Sequence, residues 1–147
     1  MKPFLPGPWP DLGILFLRLG AGITMMVHGG LKFAGGQSFL ATVGANWSAA
    51  IGIHFAPLSW GIFVALVQTL GGLLIAVGFL SRPAAILLTF VMAVGAVMVY
   101  QKTGMTFKEW SHPLEAALTC LAIFVMGSGR FSLEANRIRG RSAGPNL

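Results

Sequence analysis

The chain has 147 residues, room for one domain, and 55% of them are apolar while only 10% are charged. A water-soluble domain carries roughly a quarter charged residues, so this composition, with a mean hydropathy of +0.77, excludes a chain solvated by water over its whole surface. The net charge of +6 does not point to nucleic acid, because Arg130, Arg137, Arg139 and Arg141 crowd the last eighteen residues, where a basic tail suits an anionic membrane leaflet.

A bilayer core needs about 20 mostly apolar residues per helix. The first such segment runs from about Leu12 to Phe33, entered through KPFLPGPWPD. Arg18 interrupts the apolar run after Lys2 and no A-x-A site follows, so the segment is expected to be retained rather than cleaved as a signal peptide. At 100° per residue Arg18, His28 and Lys32 fall within an arc of about 80° on one helix face, together with Ala21 and Met25. A charge at the bilayer centre costs about 2.5 kcal/mol or more, so this stripe should face the bundle. Arg18 reads as an anchor that snorkels to the inner headgroups. His28 and Lys32 lie about 15 and about 21 Å further along the axis.

The segment from Gly35 to Ala56 contains no Lys, Arg, Asp or Glu. Phe39, Leu40, Val43, Trp47 and Ile51 recur there at helical spacing, which predicts a short helix lying on or dipping into the outer interface. The second membrane segment runs from about Leu58 to Leu80. Gln68, near its middle, shares a face with Gly61, Ala65 and Gly72. It reads either as an amide joining helices or as part of a cavity lining. A turn at Ser81 and Arg82 makes the second and third segments antiparallel neighbours.

The third segment spans about Pro83 to Tyr100 and the fourth Pro113 to Ser128, each opened by a proline at its first position. Glu115 then falls in a first turn, where an acid complements the helix dipole. Its depth also matches that of His28 and Lys32, which suggests a pair with one of them across the bundle. His28, His54 and His112 all map to the outer end without metal-ligand spacing, so no metal is expected. Cys120 is the sole cysteine, which leaves no intrachain disulfide or CxxC pair.

The fold expected is therefore an all-α, four-transmembrane-helix bundle over residues 1–147, with a basic tail at 130–147. Both termini inside places Lys2, Arg82, Arg130, Arg137, Arg139 and Arg141 on the cytoplasmic side, against Lys32, Lys102 and Lys108 outside. Trp60, Tyr100 and Trp110 then fall near the outer boundary. No catalytic signature such as a P-loop or nucleophile elbow is present, and no inverted repeat suggests a transporter.

The stretches LFLRLGAGITMMVHGGLKF, LGGLLIAVGFLSRPAA, and Pro113-Leu114-Glu115 with the closing GSGRFSLE resemble the DoxX family of small bacterial and archaeal membrane proteins over about Leu12 to Glu134. The resemblance implies a multi-pass protein of a prokaryotic inner (plasma) membrane, associated with redox and respiratory systems that include quinone-linked thiosulfate oxidation. Many members look to carry a Glu where this chain has Gln68.

The resulting expectation is a membrane subunit of a redox system that binds quinone or lipid near the outer leaflet through His28, Lys32, Gln68, Tyr100 and Glu115. Arg18, Arg82 and Arg130 serve as structural anchors. Its partners would be the bilayer, a redox protein and further copies of itself. The alternative is a non-catalytic scaffold that recruits a soluble partner through the basic tail.

Overall fold

The computed structural model describes residues 9–103 and 106–135. Lys2 and the tail residues Arg137, Arg139 and Arg141 lie outside them. The described chain forms five helices: α1 (Trp9–Ala34), α2 (Gly36–Ala49), α3 (Pro57–Val77), α4 (Ser81–Thr103) and α5 (Phe107–Met126). Among them α1, α3 and α4 are long and apolar enough to cross a membrane. The charge-bearing first half of α5, with Lys108, Glu109 and Glu115, separates it from that group.

Several boundaries differ from the sequence expectation. α4 begins at Ser81, so Pro83 is its third residue and the turn before it lies at residues 78–80 rather than at Ser81 and Arg82. Two other shifts have plain physical reasons. α3 stops at Val77 rather than Leu80, because Gly78 adopts a left-handed φ of 77°. The Gly78 N–H then bonds the Ile75 carbonyl at 3.2 Å and the Phe79 N–H bonds Leu74 at 3.0 Å, closing the last turn as a Schellman motif. α5 begins at Phe107, six residues before the proline expected to start it, so Pro113 lies inside the helix. Its missing N–H leaves the Glu109 carbonyl without its helical donor. The correction removes Glu115 from the first turn, where Glu109 is the acid instead.

Close packing begins at glycines. A Cβ built on Gly22 of α1 would come within 2.6 Å of the Gly72 carbonyl of α3, so the two backbones meet at a distance only glycine permits. Gly44 of α2 and Gly61 of α3 meet in the same way: a Cβ on Gly61 would strike the Leu40 carbonyl. α2 is thus a packed element. Its Leu40 and Trp47 are buried, whereas Phe39 faces outward and Ile51 lies beyond the helix end.

Trp47 fastens α2 to the rest. Its indole N–H donates to the Val91 carbonyl of α4 at 3.0 Å, and its ring stacks on Trp60 with centroids 5.7 Å apart. Val64, Val91 and Val94 complete this cluster. A second core cluster joins Met25 of α1 and Ile75 of α3 to Leu88 of α4 and Cys120 and Ile123 of α5. α1 packs extensively on α3, and α4 on α5, but α1 and α5 touch only lightly. The seam between α1 and α5 is therefore loose.

Candidate functional site

A polar side chain in a bundle of this composition must find a partner inside it. Arg18 is the fullest case, being 1% exposed. Its Nε donates to the Ile75 carbonyl at 3.0 Å and its Nη2 to Ala76 at 3.2 Å. Nη1 donates to the carbonyls of Ser128 and Phe131. The guanidinium therefore does not snorkel to headgroups. It donates to two of the last carbonyls at the C-terminus of α3, where the helix dipole favours a cation, and it ties down the segment after α5.

That segment, GSGRFSLE, is held by more than Arg18. Ser128 donates its hydroxyl to Glu134 at 3.1 Å, and the Glu134 N–H reaches the Gly78 carbonyl at 3.3 Å. The Arg130 N–H donates to the Asp11 carboxylate at 3.1 Å. The Arg130 guanidinium lies 3.9 Å from the same group, the one ion pair among the described residues. Sequence reading found Arg18 and Arg130 but missed Asp11 and Ser128, whose partners Arg130 and Arg18 are more than a hundred positions away along the chain, and Glu134, which is tied to Ser128 and Gly78 only by the folded turn.

Towards the other end, Lys32 turns inward. Its Nζ donates to Gln68 Oε1 at 2.7 Å and to the His28 carbonyl at 3.2 Å. Gln68 is 4% exposed and passes its own N–H to the Met92 sulfur at 3.1 Å. This chain links α1, α3 and α4, and the partner of Lys32 is the amide rather than Glu115. Gln68 acts here as the joining amide.

The loose seam between α1 and α5 opens a groove of about 210 Å³ lined by Thr24, Met25, His112, Glu115, Thr119 and Cys120 among others. His28 faces His112 across the seam, ring centroids 6.0 Å apart. His112 and Glu115, three residues apart on α5, share a face. The hydroxyls of Thr24 and Thr119 donate to the carbonyls of Gly20 and Glu115, each at 2.8 Å, which leaves their lone pairs available. One imidazole, a carboxylate and two hydroxyls thus line the groove, and a second imidazole, His28, stands against His112. Such a set can hydrogen-bond a carbonyl or hydroxyl ligand and exchange protons with it.

Of the expected site residues, the structure brings Lys32 to Gln68 and places Glu115 in the groove beside His112. Tyr100 stands apart, edge-on to Trp110 with centroids 6.1 Å apart. His112 received no role in the sequence, although its three-residue spacing from Glu115 was the available signal. Among the described residues no three of His, Cys, Asp and Glu are grouped to hold a metal ion.

The DoxX family model matches residues 13–101, more than half of the chain. The chain belongs to the DoxX family. The match takes in α2, α3 and nearly all of α1 and α4, and so contains Arg18, His28, Lys32 and Gln68; the α5 side of the groove and the GSGRFSLE segment lie beyond it. No curated protein and no solved structure matches the chain.

Proposed function

We propose that this DoxX-family chain is a membrane subunit of a redox system whose α1–α5 groove receives the ring of a quinone. The observation that carries this reading is the placement of His112 and Glu115, with His28 facing His112, along the lightly packed seam between α1 and α5. The donor set fits such a ring: imidazole N–H groups suit its carbonyl oxygens, and the Glu115 carboxyl is placed to take up or release a proton. Met25 and Ala116 give the groove apolar lining, and the exposed apolar faces of the helices suit an isoprenoid tail. A bound quinone would supply two-electron redox capacity in the membrane. Lys32 and Gln68 are positioning residues that hold α1 against α3 beside the groove.

The same reading places α5 across the membrane as a fourth span, because it packs along α4 through Leu88, Cys120 and Ile123. Both termini then lie on the cytoplasmic side of a prokaryotic inner membrane, as the Lys and Arg distribution favours. Quinone binding by the purified chain, native against His112→Ala and Glu115→Gln, tests the site. Saturable binding lost in both variants supports it, and equal binding in all three sinks it.

A second reading, a scaffold that recruits a soluble partner, is favoured by the Arg18-held segment from which residues 136–147 continue. Removing residues 137–147 would abolish function under this reading while Glu115→Gln leaves it intact. The quinone reading expects the reverse.

A further inference from the structure

The turn between α3 and α4 joins two helices that are each long and apolar enough to cross a membrane, so it sits at a membrane surface whichever way the chain is inserted. Just after that turn, in the first turn of α4, Arg82 is exposed and belongs to no ion pair among the described residues. Its guanidinium lies over Gly127, where an added Cβ would come within 3.3 Å of Nη2. It borders a cleft of about 330 Å³ whose other walls include Ser128, Gly129 and Glu134. The Glu134 carboxylate is engaged by the Ser128 hydroxyl at 3.1 Å rather than by Arg82.

A second feature opens beside the same turn. Leu66, Leu70, Leu74, Leu80, Pro83 and Leu87 line a groove of about 290 Å³ between α3 and α4. Leu70, Leu80 and Leu87 are each 47% or more exposed. Pro83 of this groove directly follows Arg82 in the chain. A forked cation with no ion-pair partner among the described residues thus stands at the membrane surface one residue before Pro83 of a wholly apolar trough. The guanidinium itself leans over Gly127, about a quarter-turn of α4 away from the trough, a separation that the glycerol backbone of one lipid can span. A guanidinium recognises phosphate oxygens in bidentate fashion, and the trough suits an acyl chain.

We propose that an anionic phospholipid binds at the α3–α4 turn, with its phosphate on Arg82 and one acyl chain in the groove between α3 and α4. Charge complementarity and the adjoining apolar groove together specify a lipid rather than a free phosphate, which would need only the first. A net anionic headgroup is preferred over a zwitterionic one, whose choline or ethanolamine would bring a second cation to the arginine.

The test uses the full chain, delipidated in detergent, with lipid binding read by native mass spectrometry. Phosphatidylglycerol is expected to bind about tenfold more tightly than phosphatidylcholine of the same acyl composition, a preference that Arg82→Gln removes, as loss of one charge-assisted contact predicts. Leu87→Trp, on the exposed wall of the groove, is expected to weaken phosphatidylglycerol by about the same factor. Arg130→Gln, whose side chain already faces Asp11, should leave binding unchanged, and inorganic phosphate should not displace the lipid. Equal binding of the two lipids, or unchanged binding in Arg82→Gln, overturns the proposal. Displacement by inorganic phosphate does so too, since it would mark an anion site without a lipid. Should Arg82→Gln fail to fold, Leu87→Trp decides alone: phosphatidylglycerol affinity equal to that of the native chain overturns the proposal.

Discussion

The ammonium of Lys32 lies 2.7 Å from the side-chain oxygen of Gln68, so a cation inside the bundle is held by a neutral amide and by the His28 carbonyl. Neither partner cancels its charge. The arrangement differs from the carboxylate that many DoxX-family members look to carry at this position.

This pair should behave as a unit. Lys32→Met and Gln68→Leu are each expected to destabilise the protein by about 2 kcal/mol, Gln68→Leu because it leaves a half-buried ammonium short of an acceptor. The double variant should cost less than the sum of the two, which thermal unfolding in detergent measures as a double-mutant cycle. Strict additivity would show that the contact contributes nothing.

Arg18 should be intolerant of conservative change. Arg18→Met leaves the Ser128 and Phe131 carbonyls without their donor and is expected to cost about 3 kcal/mol or more. Arg18→Lys should not rescue it, because one ammonium cannot span carbonyls from two separate segments as a planar fork does. Limited proteolysis between Gly127 and Glu134 reads the outcome: rapid cleavage in both variants is expected, and native-like resistance in Arg18→Lys would refute the argument from geometry.

The approach of α2 to α3 should be equally strict. Gly61→Ala drives a methyl group into the Leu40 carbonyl and is expected to destabilise by about 2 kcal/mol through overpacking. Separation of the helices would also expose Trp47, so its fluorescence should shift to the red before the rest of the bundle unfolds. An unshifted spectrum at native stability would mean that α2 is not seated on Gly61 as described.

A fourth span along α4 has a direct test in cysteine labelling. Cys120 is buried and should resist a membrane-impermeant maleimide in intact cells. In a Cys120→Ser background, Lys108→Cys should label from outside and Arg130→Cys only after the membrane is opened. Labelling of both from one side would place α5 on the surface instead.

The sequence made the membrane helices legible because apolar length is a local property. The helical spacing of Leu40 and Trp47 likewise foretold an element between the first two spans. What it could not supply was the choice of partner. The face shared by His28 and Lys32 told which way they point, yet not that α3 rather than α5 would stand opposite Lys32. Pro113 misled for a related reason: a proline is favoured at a helix start, but here the first six residues of α5 are drawn into the same helix ahead of it. The groove was half visible, since Glu115 stood out as an acid and His112 shares its helix face three residues away, while the approach of His28 to His112 required α1 and α5 to be set side by side.

The hold of Arg18 on Ser128 spans 110 residues of chain, which gives the protein a problem of timing as it is made. At about 5–20 residues per second, the arginine waits roughly 5–20 s for its last acceptors to be synthesised. Throughout that interval a positive charge belongs to a helix already committed to lipid. A chain cut short before Ser128 therefore keeps an arginine that lacks its last two acceptors. Completion of the C-terminal segment is, in this sense, the step that certifies the first helix.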